Sequence, residues 1–183
     1  MDGIVTILEE PYFEAVREIW QDLEQTCGLK EIQAMTIPHF SWHVAAAYPD
    51  EARLDALLEE TCQQFKPFIV RTAGLGIFSH PKMVVYLPLV KTQALISLHQ
   101  WLWDHLLDQA DLPSPYYAPD FWMPHITLAY EELGAVNLDC VLLRLSTHPT
   151  NWEIKVDNLA LIGQVNNVLH PACIQHKLSG NKI

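Results

Sequence analysis

The chain has 183 residues, half of them apolar, with 7 Gly and 12 Pro, a composition that suits a packed globular protein and excludes a disordered one. Its formal net charge of −11 excludes a protein that wraps a long nucleic-acid duplex, because that mode needs Lys and Arg along the groove. No run of about 18 apolar residues occurs and no basic stretch precedes an apolar core near Met1, so neither a membrane span nor a secretory signal is expected, and the expectation is a cytoplasmic protein.

The acidity is lopsided. Residues 1–65 hold 13 acidic and 3 basic residues, a net of −10, whereas residues 66–183 hold 9 acidic and 8 basic, a net of −1. A small anionic ligand could still meet a neutral or mildly positive cleft.

In chain order, GIVTIL reads as a short strand, and Pro11 opens a helix whose apolar residues Phe13, Val16, Ile19, Trp20, Leu23 and Cys27 recur at three and four. Gly28 closes it. Residues 37–47 read as a strand, after which Asp50 caps a second helix bearing Leu54, Leu57, Leu58 and Phe65. PFIVRTAGLGIF and MVVYLPLV read as two strands joined by the turn-like SHPK, with Gly74 and Gly76 marking a bulge. Thr92 caps a third helix through Leu95, Leu98, His99, Leu102 and Leu106. An irregular stretch, ADLPSPYYAPDFW, leads into the strand MPHITLAY. A helix through Leu138, Val141 and Leu145 and two last strands, WEIKVDNLALI and VLHPACIQHKL, complete the chain. Strands and helices alternate without the glycine-rich turn of a nucleotide-binding parallel sheet, so the fold class expected is α+β with mainly antiparallel strands.

Two segments carry chemistry. IPHFSW and MPHITL each read apolar, Pro, His, apolar, Ser or Thr, apolar, with His39 and His125 86 residues apart. On a strand, residues two apart share a face, so His39 sits beside Ser41 and His125 beside Thr127. Histidine titrates near neutral pH, so one imidazole can take a proton while a second gives one, and the two hydroxyls can hydrogen-bond phosphate oxygens as charge builds. That set suits phosphodiester cleavage. Each proline biases the residue before it toward extended geometry, as a strand entry requires.

The paired motifs resemble those of the 2H phosphoesterase superfamily, which includes the bacterial RNA 2′,3′-cyclic phosphodiesterases once named 2′-5′ RNA ligases. GLGIF, VVYLPL and a helix containing Leu98 and His99 occur in similar order, so the resemblance covers residues 4–165. It implies one domain over residues 1–183, made of two pseudo-symmetric lobes of mainly antiparallel sheet with outer helices and a central cleft. It also implies metal-independent hydrolysis of 2′,3′-cyclic phosphates of nucleotides or RNA ends. His39 and His125 become the catalytic pair and Ser41 and Thr127 the phosphate-binding hydroxyls; which histidine is base and which is acid stays open. So do a non-catalytic nucleotide-binding module and reversible 2′-5′ ligation.

The first segment also admits a register starting at His43, which lacks the hydroxyl, so His39 with Ser41 is preferred. His43 is then expected on the face of Ser41, touching substrate or lining the cleft. Tyr117 and Trp122, in the Pro-rich loop before the second motif, are candidates for stacking on a base. His39 and His43 lie about 13 Å apart along a strand, too far to share one ion, and no metal or other cofactor is expected. His80, His148, His170 and His176 are expected at the surface, and His99 and His105 in helix packing. None of Lys66, Arg71, Lys82 and Lys91 is assigned to the site. Cys27, Cys62, Cys140 and Cys173 are far apart with no CxxC pair, and each is expected as a buried reduced thiol. A monomer is the expected state.

Overall fold

A computed structural model of the protein describes residues 1–29, 37–80, 82–130, 137–165 and 168–180, the side chains of 164–173 excepted. Its elements are β1 (Asp2–Ile7), α1 (Tyr12–Cys27), β2 (His39–Ala45), α2 (Glu51–Gln64), β3 (Phe68–Arg71), β4 (Gly76–Phe78), β5 (Val84–Pro88), α3 (Gln93–Leu106), β6 (His125–Tyr130), α4 (Leu138–Leu145), β7 (Glu153–Val156), β8 (Asn158–Val165) and β9 (Val168–Lys177). A 3-10 turn spans Pro115–Tyr117.

Local chemistry sets the helix ends. The Asp50 side chain accepts from the Arg53 N–H at the start of α2, and the Thr92 hydroxyl accepts from the Leu95 N–H at the start of α3, each such cap contributing about 1 kcal/mol. Gly28 ends α1 in the left-handed region at φ 74°, its N–H returning to Glu24 and Leu23 carbonyls. Among the described residues no helix is long and apolar enough to cross a membrane.

Seven strands form one sheet in the order β4-β5-β6-β2-β1-β8-β9, and β3 pairs with β7 in a second, two-stranded sheet. Every strand pair is antiparallel. The fold is therefore α+β and the sheet mainly antiparallel, as the alternating pattern predicts. Its centre is a seam. β4, β5 and β6 on one side match β8, β1 and β2 on the other, and β2 meets β6 through Phe40 and Ile126.

The helices cross this seam. α1, which follows β1, packs against β6, while α3, which follows β5, packs against β2. Between them lies the main core, where Phe40, Trp42, Ile126 and Leu128 from the motif strands meet Val16, Ile19 and Leu23 of α1 and Leu95, Leu98 and Leu102 of α3. Burying side chains of this size removes roughly 1.5–3 kcal/mol of apolar exposure each, so the two motif strands are anchored from below.

Several expectations need correction. The strand read over PFIVRTAGLGIF divides in two: β3 pairs with β7, and the chain then crosses at Thr72 to the edge of the large sheet as β4. Buried Thr72 holds the crossing, its hydroxyl donating to the Thr150 carbonyl and accepting from the Trp152 N–H at 2.8 Å. Gly74 there turns the chain at φ 67° rather than forming a bulge. The strand WEIKVDNLALI likewise divides at Asp157 into β7 and β8, one for each sheet.

Another correction concerns cysteine. Cys27, ending α1, and Cys140, in α4, form a disulfide across 113 residues. Both are half-buried rather than buried, and helix periodicity does not show that the two helices lie side by side. Beside the bridge, Arg144 donates to Asp22 through Nε at 2.9 Å and Nη2 at 2.5 Å, and this paired hydrogen bond holds the Asp22 carboxyl below the usual carboxylate range. His148, expected at the surface, is half-buried against the same carboxylate at 3.4 Å. Cys62 is a buried free thiol, pushed up to about 12 by burial. The side chains of Cys173 and His170 lie outside the described residues.

Candidate active site

Each motif strand departs from regular pairing at the same place. β2 pairs with β1 as Ile7–His39, Thr6–Phe40, Val5–Ser41 and then Ile4–His43, skipping Trp42. β6 pairs with β5 as Pro88–His125, Leu87–Ile126, Tyr86–Thr127 and then Val85–Ala129, skipping Leu128. A β-bulge inserts one residue and so reverses which face later residues take.

The bulge overturns the expected position of His43. Instead of sharing the face of Ser41, His43 is turned into the core with 0% exposure. Its Nδ1 is hydrogen-bonded to the Tyr48 hydroxyl at 2.6 Å, and its ring lies 5.1 Å from that of Trp103. Burial, then the neighbouring His99, lowers its pKa to about 4. It neither touches substrate nor lines the cleft.

His39, Ser41, His125 and Thr127 instead share the face opposite the helices, each partly open. Phe40 opposite Ile126 is the one described pair between β2 and β6. It lies between His39 and Ser41 on one strand and between His125 and Thr127 on the other, so each imidazole has a hydroxyl two residues on along its own strand, on the same face.

The two imidazoles are held alike. His39 Nδ1–H donates to the Ile37 carbonyl and His125 Nδ1–H to the Met123 carbonyl, both at 2.6 Å. A carbonyl can only accept, so Nδ1 carries the proton and Nε2 is left with the lone pair. The acceptors are the residues before Pro38 and Pro124, and the proline carbonyls in turn accept from the N–H groups of Leu8 at 3.0 Å and Leu89 at 2.9 Å. The shared apolar-Pro-His sequence thus fixes a ring tautomer as well as a strand entry.

Burial, followed by the charge of His125, lowers His39 to about 4, against a raising effect of the Ile37 carbonyl. Burial also lowers His125. Both shifts favour the neutral imidazole in the free protein. An anion between them would reverse this, because a nearby negative charge favours the protonated ring.

The 3-10 turn that carries Tyr117 packs against β2, and burial raises the pKa of its phenol. Trp122 is not a stacking surface for a base. It is 2% exposed and lies between the ring of His99, at 3.7 Å and 1° between planes, and that of Trp42, at 5.5 Å. The physical reason is His99: its Nε2–H donates to the Tyr117 carbonyl at 3.0 Å, pulling the loop down so that Trp122 closes over α3.

Sequence reasoning missed a wall beside His125. Tyr86 pairs with Thr127, stacks on Phe78 at 4.2 Å, and brings its ring centre within 5.0 Å of His125; Phe78 meets the same imidazole edge-on at 5.1 Å. Gly76 is the signal that could have revealed it, since a Cβ there would fall 2.3 Å from two Tyr86 ring carbons. On the other side of the seam the equivalent position is Val5, buried with Ile37, Ala160 and Ile162 in a small apolar cluster. The site is therefore symmetric in its motifs and asymmetric in the side chains that flank them. Among the described residues no three His, Cys, Asp or Glu side chains gather as a metal site.

The model of the 2′-5′ RNA ligase superfamily matches residues 11–167. A crystal structure of a Thermus thermophilus protein superimposes with TM-score 0.68 at 19% identity, covering 99% of both chains. Crystal structures of E. coli LigT complexed with ATP and with 3′-AMP superimpose with TM-scores of 0.59 and 0.58, at 17% and 16% identity, over 97% of this chain and 96% and 98% of theirs. Among curated proteins no match was found. The solved structures share this fold, and the family match defines the class as 2H phosphoesterase-type. Within it, the chain belongs to the 2′-5′ RNA ligase superfamily.

Proposed function

We propose that the protein hydrolyses 2′,3′-cyclic phosphates of nucleotides or short RNA ends, with His39 and His125 as the acid/base pair. The observation that carries this reading is the matched presentation of the two imidazoles, each with Nδ1–H tied to a backbone carbonyl at 2.6 Å and each flanked by a hydroxyl. The bound phosphate raises one imidazole so that it is protonated. The neutral imidazole takes a proton from water at Nε2 as the water oxygen bonds to phosphorus. The bond from phosphorus to the 2′ or 3′ oxygen breaks, and the imidazolium gives its Nε2 proton to that oxygen. Ser41 and Thr127 donate to the non-bridging oxygens as charge builds there. Tyr117, carried on the turn packed against β2, meets the substrate beside Ser41.

The step uses side chains of this chain alone, with no metal or cofactor. The E. coli LigT structures hold nucleotides, which supports a small nucleotide as ligand here, and the net charge of −11 favours short substrates over a long duplex. A monomer working in the cytoplasm is part of the proposal.

The test is hydrolysis of the four 2′,3′-cyclic nucleotides and of short RNAs with that end, with and without EDTA. Turnover that survives EDTA and is lost in His125→Ala supports the reading, and the position of the product phosphate identifies the base. Nucleotide binding without turnover would replace it with a binding module. Joining of RNA ends without hydrolysis would replace it with the reverse reaction.

A further inference from the structure

Two tryptophans far from each other in sequence make the same bond. Trp20 of α1 donates from Nε1 to the Thr127 carbonyl at 3.1 Å, and Trp122 donates from Nε1 to the Ser41 carbonyl at 3.0 Å. Both indoles are buried, at 5% and 2% exposure. Their acceptors are the backbones of the two hydroxyl residues. Each acceptor precedes the skipped bulge residue and follows the Phe40–Ile126 bridge, where among the described residues the ladder between β2 and β6 is confined to that one pair. A buried carbonyl at such a break needs a donor from outside the ladder.

The bonds also cross the seam. Trp20 belongs to the half containing β1 and β2 but holds β6. Trp122 precedes β6 but holds β2. The hydroxyl that each half offers is thereby fixed by the other half. On the Ser41 side His99 seats the loop that brings Trp122, donating to the Tyr117 carbonyl and stacking on the Trp122 ring.

We propose that Trp20 and Trp122 are positioning residues that set the phosphate-facing hydroxyls crosswise, Trp20 acting through Thr127 and Trp122 through Ser41. This rests on the cyclic-phosphate reading above for the identity of what the hydroxyls hold. Neither indole touches substrate. Each fixes the backbone from which a hydroxyl reaches the phosphate, so losing the N–H loosens a transition-state contact while leaving the cleft in place.

The experiment replaces the N–H and keeps the ring. Trp20→Phe and Trp122→Phe are made in the unaltered protein and in Ser41→Ala and Thr127→Ala backgrounds, and kcat and KM are measured with 2′,3′-cyclic AMP. Each single change is expected to lower kcat by about tenfold, the scale of one lost hydrogen bond, with KM within about twofold. Trp122→Phe then has no further effect on Ser41→Ala but keeps its full effect on Thr127→Ala, and Trp20→Phe shows the converse. Equal effects in both backgrounds, or none in the unaltered protein, overturn the proposal. Where a Phe variant fails to fold, benzothienylalanine at the same position, which replaces N–H by sulfur in an isosteric ring, is scored in the same way. If the unaltered protein does not turn over the cyclic nucleotide, the functional reading falls by itself. The crosswise pattern is then sought in the affinity for inorganic phosphate by calorimetry, and its absence there overturns the positioning role.

Discussion

Trp42 and Leu128 occupy one place in the fold twice: each follows a motif hydroxyl, each is the residue skipped in pairing with the neighbouring strand, and each is fully buried. The two bulges give the motif its form. Before the bulge, alternation puts His and Ser or Thr on the cleft face. After it, His43 and Ala129 turn into the core beside their predecessors.

His43 should therefore behave as a core residue. His43→Ala removes its bond to Tyr48 and its packing on Trp103, and is expected to lower unfolding stability by roughly 1–3 kcal/mol. Turnover per folded molecule stays near that of the unaltered protein. Urea denaturation alongside active-site-normalised kinetics measures both.

Acid should weaken the fold through its histidines. His39, His43 and His99 are lowered from 6.5 to about 4, in each case first by burial, and His125 is lowered by the same cause. The unfolded chain then binds more protons than the folded one below about 6.5, so stability present above that pH is lost as the pH falls toward 4. The lowered carboxylates Asp22 and Asp157 start from 3.8, which leaves pH 5–6.5 to the imidazoles. Denaturation midpoints at pH 7.5, 6.0 and 5.0 should decrease in that order; a flat or rising series contradicts the buried neutral rings.

Reduction should expose two thiols and loosen α4. The Cys27–Cys140 bridge closes a long loop, and its loss is expected to cost about 2–5 kcal/mol. Thiol titration in denaturant before and after reduction should differ by two groups, and the reduced protein or Cys140→Ala should melt at lower temperature. An unchanged thiol count contradicts the bridge.

A methyl group at Gly76 should reach the site indirectly. The added Cβ would fall 2.3 Å from the Tyr86 ring, which is held between Phe78 and His125, so Gly76→Ala displaces the wall and with it the imidazole. A displacement of about 1 Å at a catalytic group is enough for roughly a 10²-fold loss of turnover. Kinetics of Gly76→Ala against Ala73→Gly, a control change in the same crossing, tests this.

How much of this was legible in the residues can be seen at particular positions. Asp50, Thr92 and Gly28 announce helix ends because capping is local chemistry, and the two Pro-His segments announce themselves as strands by alternation. The turn of His43 into the core was hidden, since alternation alone continues through a bulge and nothing in HFSWHV marks the inserted residue. Thr72 and Asp157 divide strands that read as continuous, because the division is made by a second sheet. Trp122 read as an exposed aromatic of a Pro-rich loop, and only its stacking on His99 accounts for its burial. The bridge between Cys27 and Cys140 and the bond from Trp20 to Thr127 both depend on α1 crossing the seam, which no local pattern encodes.

On the proposed function, His39 and His125, and not His43, move protons at a phosphodiester. The most direct measurement compares hydrolysis of 2′,3′-cyclic nucleotides by the unaltered protein, His39→Ala, His125→Ala and His43→Ala, each checked for folding. The expected result is a fall of roughly 10² to 10⁴ in turnover for the first two variants and near-unaltered turnover for the third. Loss in His43→Ala with turnover retained in His39→Ala would contradict the account.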